Sequence, residues 1–153
     1  MKEELLKKEV KKFYNNIDSL INIIAMDIDE FCAYGFSHAT EDNRKFYFMD
    51  NEADILAVAH LDTVQQTVKF SMDKKNGLIH SPQLDDRLGA YIILEHLLRD
   101  MNYDVLLTID EEKGRSTARS FNNGKKYNWM FSFDRRGTDA VMYQYESPEM
   151  IEV

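Results

Sequence analysis

Four polar clusters in this sequence combine residue types that bind metal ions and move protons. The first is Ala59-His60-Leu61-Asp62-Thr63-Val64, which overlaps the end of the apolar run Ile55 to Ala59. His60 can offer a neutral imidazole nitrogen to a metal ion. Asp62, two residues on, lies on the same side of an extended chain and could accept the other imidazole N–H. The alternative is a histidine at a strand end beside a solvated aspartate.

The second cluster, Leu84-Asp85-Asp86-Arg87-Leu88-Gly89, opens a predicted helix. Acids at the N-terminus of a helix ordinarily cap it and complement its dipole. Two adjacent acids could instead place one carboxylate between two cations. For Arg87, pairing with Asp85 or Asp86 is the only role that the sequence indicates.

The third and fourth clusters place acids directly after strands. Asp110, Glu111 and Glu112 follow an apolar strand, and three consecutive acids repel one another unless a cation or a shared proton relieves them. One glutamate could bind a metal while its neighbour acts as general base; an exposed acidic turn is the alternative. Asp134 follows an aromatic strand and precedes two arginines, so it could be an oxygen ligand or part of an ion-pair network.

The periodicity of the apolar residues predicts the elements that would position these clusters. The expected helices are Leu5 to Ile24, Ile28 to Phe36, Leu84 to Arg99 and Ser116 to Phe121. The expected strands are Lys45 to Met49, Ile55 to Ala59, Val68 to Met72, Leu78 to His80, Val105 to Ile109, Tyr127 to Phe133 and Ala140 to Tyr145.

Strands that alternate with helices predict an α/β fold with a mixed, mainly parallel sheet that is flanked by helices and covered on both faces. Ligands bind outside the carboxyl ends of the strands in such sheets, which is the reason to group the four clusters. We expect one domain over residues 1–153, with a helical N-terminal part (1–44) and a sheet that bears the metal site (45–153).

The end of the sequence resembles the start of a helix. Ser147-Pro148-Glu149 supplies a cap, a first-turn proline and an acid near the positive end of the dipole. A helix that ends at Val153 would be marginal alone. We therefore expect a fragment of a longer protein, or a shortened relative of one.

Composition excludes several functional classes. The chain has 19 basic and 27 acidic residues, a net charge of −8 and no basic stripe, so nucleic acid is not an expected partner. Its longest apolar run is too short to span a membrane, and the N-terminus lacks the apolar core of a signal peptide, so a cytoplasmic protein is expected. The single cysteine, Cys32, excludes a disulfide within the chain and is expected to be a small buried hydrophobe rather than a nucleophile.

The four clusters in this order resemble the superfamily of co-catalytic di-zinc aminopeptidases and deacylases. That superfamily includes tetrahedral glutamyl-type aminopeptidases, tripeptide aminopeptidases and acetylornithine or succinyl-diaminopimelate deacylases. Leu84 to Gly89 is most similar to the tetrahedral aminopeptidases, and His60 to Val64 to the tripeptidases and deacylases. The resemblance spans about Ile55 to Tyr145.

The resemblance implies a role for each matching residue. His60 and Asp134 would bind the first zinc, Asp85 would bridge both metals, and Glu112 would bind the second zinc. Asp62 would orient His60, and Glu111 would be the general base. It also implies a zinc-exopeptidase-like core, two zinc ions per site, with cobalt or manganese as alternatives, and a peptide or N-acyl amino acid as substrate.

The family's last ligand, a histidine late in the chain, has no counterpart at His38, His80 or His96. One zinc is therefore an alternative to two, and the core is expected to be incomplete at its C-terminus. The leading hypothesis is a zinc-dependent amide hydrolase, most similar to an aminopeptidase-type metallopeptidase, or a fragment of one. A non-catalytic metal-binding or protein-interaction module and an ordinary acidic α/β domain are the alternatives. Homo-oligomerisation stays open.

Overall fold

The structure, a computed structural model, describes residues 17–137, 141–143 and 150–152. Its helical elements are α1 (Ile17–Ala25), a 3₁₀ helix (Ile28–Ala33), α2 (Leu84–Tyr91) with a π turn (Ile92–His96) and a 3₁₀ turn (Leu97–Arg99) after it, and a 3₁₀ helix (Thr117–Ser120). Its strands are β1 (Phe36–Ala39), β2 (Lys45–Met49), β3 (Ile55–His60), β4 (Ser71–Asp73), β5 (Leu78–His80), β6 (Asp104–Thr108), β7 (Trp129–Phe131), β8 (Val141–Tyr143) and β9 (Met150–Glu152). The part of the first predicted helix before Ile17 lies outside the described residues.

Five strands form the main sheet in the order β1-β2-β6-β3-β7. The pairs β1/β2 and β2/β6 are antiparallel, whereas β3/β6 and β3/β7 are parallel. The predicted α/β class with a mixed sheet is confirmed, but a mainly parallel sheet is wrong. The difference lies at β2, which pairs antiparallel with β6. The hairpin β1/β2, whose turn holds Asn43 in the left-handed region (φ 60°), adds a second antiparallel pair.

Two layers of apolar side chains cover the sheet, as the alternation along each strand requires. One layer packs Tyr47, Ala57 and Leu107 against Leu20 and Tyr91 of the two α-helices. The opposite layer, formed by Phe46, Phe48, Leu56 and Leu106, packs against Phe121 and Tyr127. In the described part of the chain, α-helices therefore cover one face, and the segment around the last 3₁₀ helix covers the other.

Arg87 is a buried cation that joins three elements. Its Nε donates to the carbonyl of Leu61 at 2.7 Å, and its Nη1 donates to the carbonyls of Ile23 at 2.9 Å and Met26 at 2.6 Å. Its guanidinium carbon lies 5.0 Å from the centre of the Phe31 ring. The expectation that Arg87 pairs with Asp85 or Asp86 is therefore wrong, since its hydrogen-bond partners are backbone carbonyls. The spacing of residues in the sequence does not indicate such partners.

Three further expectations are wrong. Phe36–Ala39 is a strand inside the part predicted to be helical (1–44), because it pairs with β2. Met150–Glu152 is a strand paired with β8 rather than the first turn of a helix; the proposed cap at Ser147 lies outside the described residues. Cys32 is exposed, since its 3₁₀ helix turns Phe31 into the core instead.

Other predicted elements have different limits. The strand expected over Val68 to Met72 is Ser71–Asp73, and the one expected over Tyr127 to Phe133 is Trp129–Phe131. Among the described helices, none has the length and apolar character needed to span a membrane.

Candidate metal centre

Three parallel strands deliver the candidate residues to one edge of the sheet. His60 is the last residue of β3 and is paired with Thr108, the last residue of β6. The acidic turn that contains Glu111 follows β6, and Asp134 follows β7. Asp85 stands at the start of α2, which packs against β3. The carboxyl ends of neighbouring parallel strands thus create this site, as the sequence predicts.

The imidazole of His60 is the centre of the cluster. It is 4 % exposed, and its Nε2 lies 3.4 Å from Asp85 Oδ1, 3.7 Å from Asp134 Oδ2 and 3.8 Å from Glu111 Oε2. These distances exceed the roughly 2.7–2.9 Å of a charge-assisted hydrogen bond. On the other side of the ring, Nδ1 lies 2.9 Å from the backbone oxygen of Asp62. A carbonyl oxygen can only accept, so Nδ1 carries a proton, and Nε2 is the ring nitrogen that a metal ion could bind in exchange for a proton.

Asp62 acts differently from the expectation. Its main-chain carbonyl, not its carboxylate, accepts the imidazole N–H, since the nearest carboxylate oxygen is 3.6 Å from Nδ1. The carboxylate instead accepts the backbone N–H groups of Glu111 and Glu112, each at 3.2 Å. Burial opposes ionisation of Asp62, but His60 and these two N–H groups lower its pKa. Asp62 therefore joins the histidine to the acidic turn.

Two sets of donor atoms surround His60. In one set His60, Glu111 and Asp134 bring one ligand atom each within 4.8 Å of one another, and in the other His60, Asp85 and Glu112 do so. One imidazole nitrogen with carboxylate oxygens is a donor set that zinc and manganese accept. Six residues were expected at the site, and five of them belong to these two sets: His60, Asp85, Glu111, Glu112 and Asp134. Asp62, the sixth, lies outside both sets. Glu111, expected to act only as a base, belongs to a potential ligand set.

The charges of the cluster favour a bound cation. Burial alone would lower the pKa of His60, but Asp62, Asp86 and Asp134 outweigh it and raise that pKa to about 9. Burial raises the pKa of Asp134 and of Glu112, and in both cases the negative charge of Asp85 raises it further. Carboxylates that repel one another around one imidazole are relieved when a metal ion supplies positive charge.

Asp86, which was not among the expected ligands, has a role separate from that of Asp85. Its side chain is 3 % exposed; Oδ1 accepts the backbone N–H of Gly89 at 3.2 Å, whereas Oδ2 has no hydrogen-bond partner in the described structure. Burial raises its pKa to about 7, and the charge of Asp134 adds to the effect. A Cβ at position 89 would lie 2.1 Å from Asp86 Oδ1, which explains the glycine. Asp86 thus accepts a backbone N–H in the first turn of α2, whereas Asp85 faces His60. The peptide bond between the two residues is cis.

Asp110, the first acid of the turn, is a structural residue. It is buried, has a left-handed backbone (φ 62°) and accepts hydrogen bonds from Lys113 at 2.6 Å and Arg44 at 3.2 Å. Lys113 and Arg44 lower its pKa against the effect of burial. Because these cations bind Asp110, the turn presents Glu111 and Glu112 to His60.

Neither His38 nor His80 belongs to the cluster. His38 stacks on Phe46 with ring centres 5.1 Å apart, and His80 lines a cavity beside the hairpin β4/β5. Comparison of the chain with protein-family models, with curated proteins and with solved structures finds no match in any of the three.

Proposed function

We propose that this chain carries the metal site of a zinc-dependent amide hydrolase, most similar to an aminopeptidase-type metallopeptidase. The observation that supports it best is the buried imidazole of His60, whose Nε2 faces the carboxylates of Asp85, Glu111 and Asp134 at 3.4–3.8 Å. The order of the four clusters, which resembles the di-zinc aminopeptidases and deacylases, adds to it. The zinc-exopeptidase-like core and the cytoplasmic location belong to the same proposal.

Each residue has a definite task in this proposal. His60, Asp85, Glu112 and Asp134 hold the metal ions. A bound zinc supplies Lewis acidity, which polarises an amide carbonyl and makes water easier to deprotonate. Glu111 takes and returns the proton: its side chain is 49 % exposed, so it can reach both the cluster and a substrate in solvent. Cobalt or manganese could replace zinc at the same donors.

The support around the site keeps Glu111 in place. Asp62 holds the backbone N–H of Glu111 and of Glu112, and its own carbonyl fixes the ring of His60. A base must lie within hydrogen-bond reach of the proton that it takes, and a fixed turn satisfies that requirement. The substrate class is a peptide or an N-acyl amino acid.

Substitution of Glu111, the proposed base, tests the proton transfer, because His60, Asp85, Glu112 and Asp134 remain to hold the metal. The chain loaded with zinc should release amino acids from a panel of aminoacyl amides and N-acyl amino acids. Glu111→Gln should lower the rate about 10²- to 10⁴-fold with little loss of zinc. The matched control is Glu41→Gln, an exposed glutamate in the turn between β1 and β2, which should leave the rate unchanged. Turnover that persists in Glu111→Gln would contradict the assignment.

A non-catalytic metal-binding or interaction module is the second candidate. The observation that favours it is the absence of a second histidine from the clusters among the described residues, since Asp85 and Glu112 alone would bind a second ion weakly. Zinc bound by a folded chain that turns over no member of the panel would favour this candidate over the hydrolase.

A further inference from the structure

An open cavity lies between the hairpin β4/β5 and the start of α2. Its volume is about 520 Å³, which is within the range of small-molecule sites. Leu84 lines it, and the next residue is Asp85, whose carboxylate faces His60. The cavity is therefore one residue along the chain from a candidate metal ligand.

The lining combines an apolar wall with positive charge. Phe70, Ile79, Pro82 and Leu84 form the apolar part, and Lys69 contributes a cationic side chain. Its other lining residues are Ser71, His80 and Ser81. No aspartate or glutamate is among them, although the chain as a whole has a net charge of −8. Within the described ranges, the ammonium group of Lys69 has no carboxylate partner, so it is available to a ligand.

A buried glutamine fixes the walls of this cavity. Gln83 is 2 % exposed, and its Oε1 accepts the backbone N–H of Lys69 at 3.1 Å and the hydroxyl of Ser81 at 3.0 Å. Its Nε2 donates to the backbone oxygens of Gln65 at 2.7 Å and Thr67 at 3.1 Å. One side chain thus ties the loop after the first cluster to the segment that leads into Asp85. A site held this way loses little freedom when a ligand binds.

We propose that this cavity is a subsite for the amino acid part of an N-acyl amino acid, with the free carboxylate at Lys69 and an apolar side chain on the wall of Phe70 and Ile79. The inference rests on the proposed function, because it assigns the carboxylate end of the substrate of that site. It favours an N-acyl amino acid over a substrate without a free carboxylate.

Binding of two probes that differ only in charge tests the subsite. N-acetyl-leucine and N-acetyl-leucine amide are titrated into the full chain, with and without zinc, and methyl resonances of Ile79 and Leu84 report the location. The acid should bind about three- to fivefold more tightly than the amide, as expected for one exposed ion pair. Lys69→Met should abolish this difference, and Lys69→Arg should keep it.

Lys75→Met is the matched control, because Lys75 is an exposed lysine of the same hairpin outside the cavity. Equal binding of acid and amide to the unsubstituted chain, or an equal loss of preference in Lys75→Met, overturns the subsite. Binding of the two probes is also measured without zinc, and it does not depend on metal binding. Failure of the subsite and failure of the metal site therefore give different results.

Discussion

Replacement of Arg87 by methionine should destabilise the fold more than any other single change of a charged residue in α2. The substitution keeps most of the aliphatic volume but removes hydrogen bonds to the carbonyls of Leu61, Ile23 and Met26. The bonds to Leu61 and Ile23 are buried, so water cannot readily replace the guanidinium there.

The size of the effect follows from the groups left without a partner. A buried carbonyl that loses its partner costs about 1–3 kcal/mol, and two such groups give about 3–4 kcal/mol after allowance for the easier burial of a neutral side chain. A domain of this length has a free energy of unfolding of about 5–15 kcal/mol. Arg87→Met therefore removes a large fraction of the stability without necessarily unfolding the chain.

Urea denaturation followed by circular dichroism measures the loss. With a slope of about 2 kcal/mol per molar urea, 3 kcal/mol lowers the midpoint by about 1.5 M. The matched control is Arg119→Met, an exposed arginine in the last 3₁₀ helix, which should shift the midpoint by less than about 0.3 M. Equal shifts for the two variants would refute the argument that Arg87 joins the elements through its carbonyl partners.

Three other residues give predictions of the same kind. Gly89→Ala should cost about 2–4 kcal/mol, measured by the same denaturation, because its Cβ would lie 2.1 Å from Asp86 Oδ1; a neutral result would contradict this contact. Burial opposes ionisation of Asp104, but Lys125 and other donors outweigh it and lower the pKa of this carboxyl. The contribution of Asp104 to the free energy of unfolding is therefore present above its ordinary pKa and is lost as pH falls through the lowered pKa. Asp104→Asn should flatten the acid limb of a curve of stability against pH, and an unchanged limb would contradict this assignment. Gln83→Leu should raise the hydrogen-exchange rate of the Lys69 amide at least about tenfold, whereas an unchanged rate would show that the loop does not depend on Gln83.

Much of the sheet could be predicted because its signals are local. Apolar runs and alternating patterns in one stretch of chain identified β2, β3, β5 and β6. β1 was missed because it is short and exposed along its whole length, so no burial pattern marks it. The antiparallel direction of β2 arises in its pairing with β6, which is distant in sequence, and the pairing of β9 with β8 outweighs a local helix signal.

The candidate site was predictable to the extent that strand ends define it. His60, Glu111 and Asp134 come together because β3, β6 and β7 run in parallel. The partners of individual side chains were not predictable, because they lie far along the chain: Arg44 binds Asp110 across 66 positions. Of the two adjacent acids, the resemblance assigned Asp85 to the metals. In the structure Asp85 faces His60, and the burial of Asp86 is the part that the sequence did not predict.

Zinc binding to the purified, metal-stripped chain tests the central claim most directly. Both donor sets contain His60, so the unsubstituted chain should bind at least one zinc and His60→Gln should bind none. Asp85 is an exposed carboxylate, and the Asp85→Asn variant should bind zinc about tenfold more weakly or not at all. Asp73→Asn, a surface carboxylate in the hairpin, should bind zinc like the unsubstituted chain. A folded chain that binds no zinc, or one whose binding is unchanged in both site variants, would contradict the account.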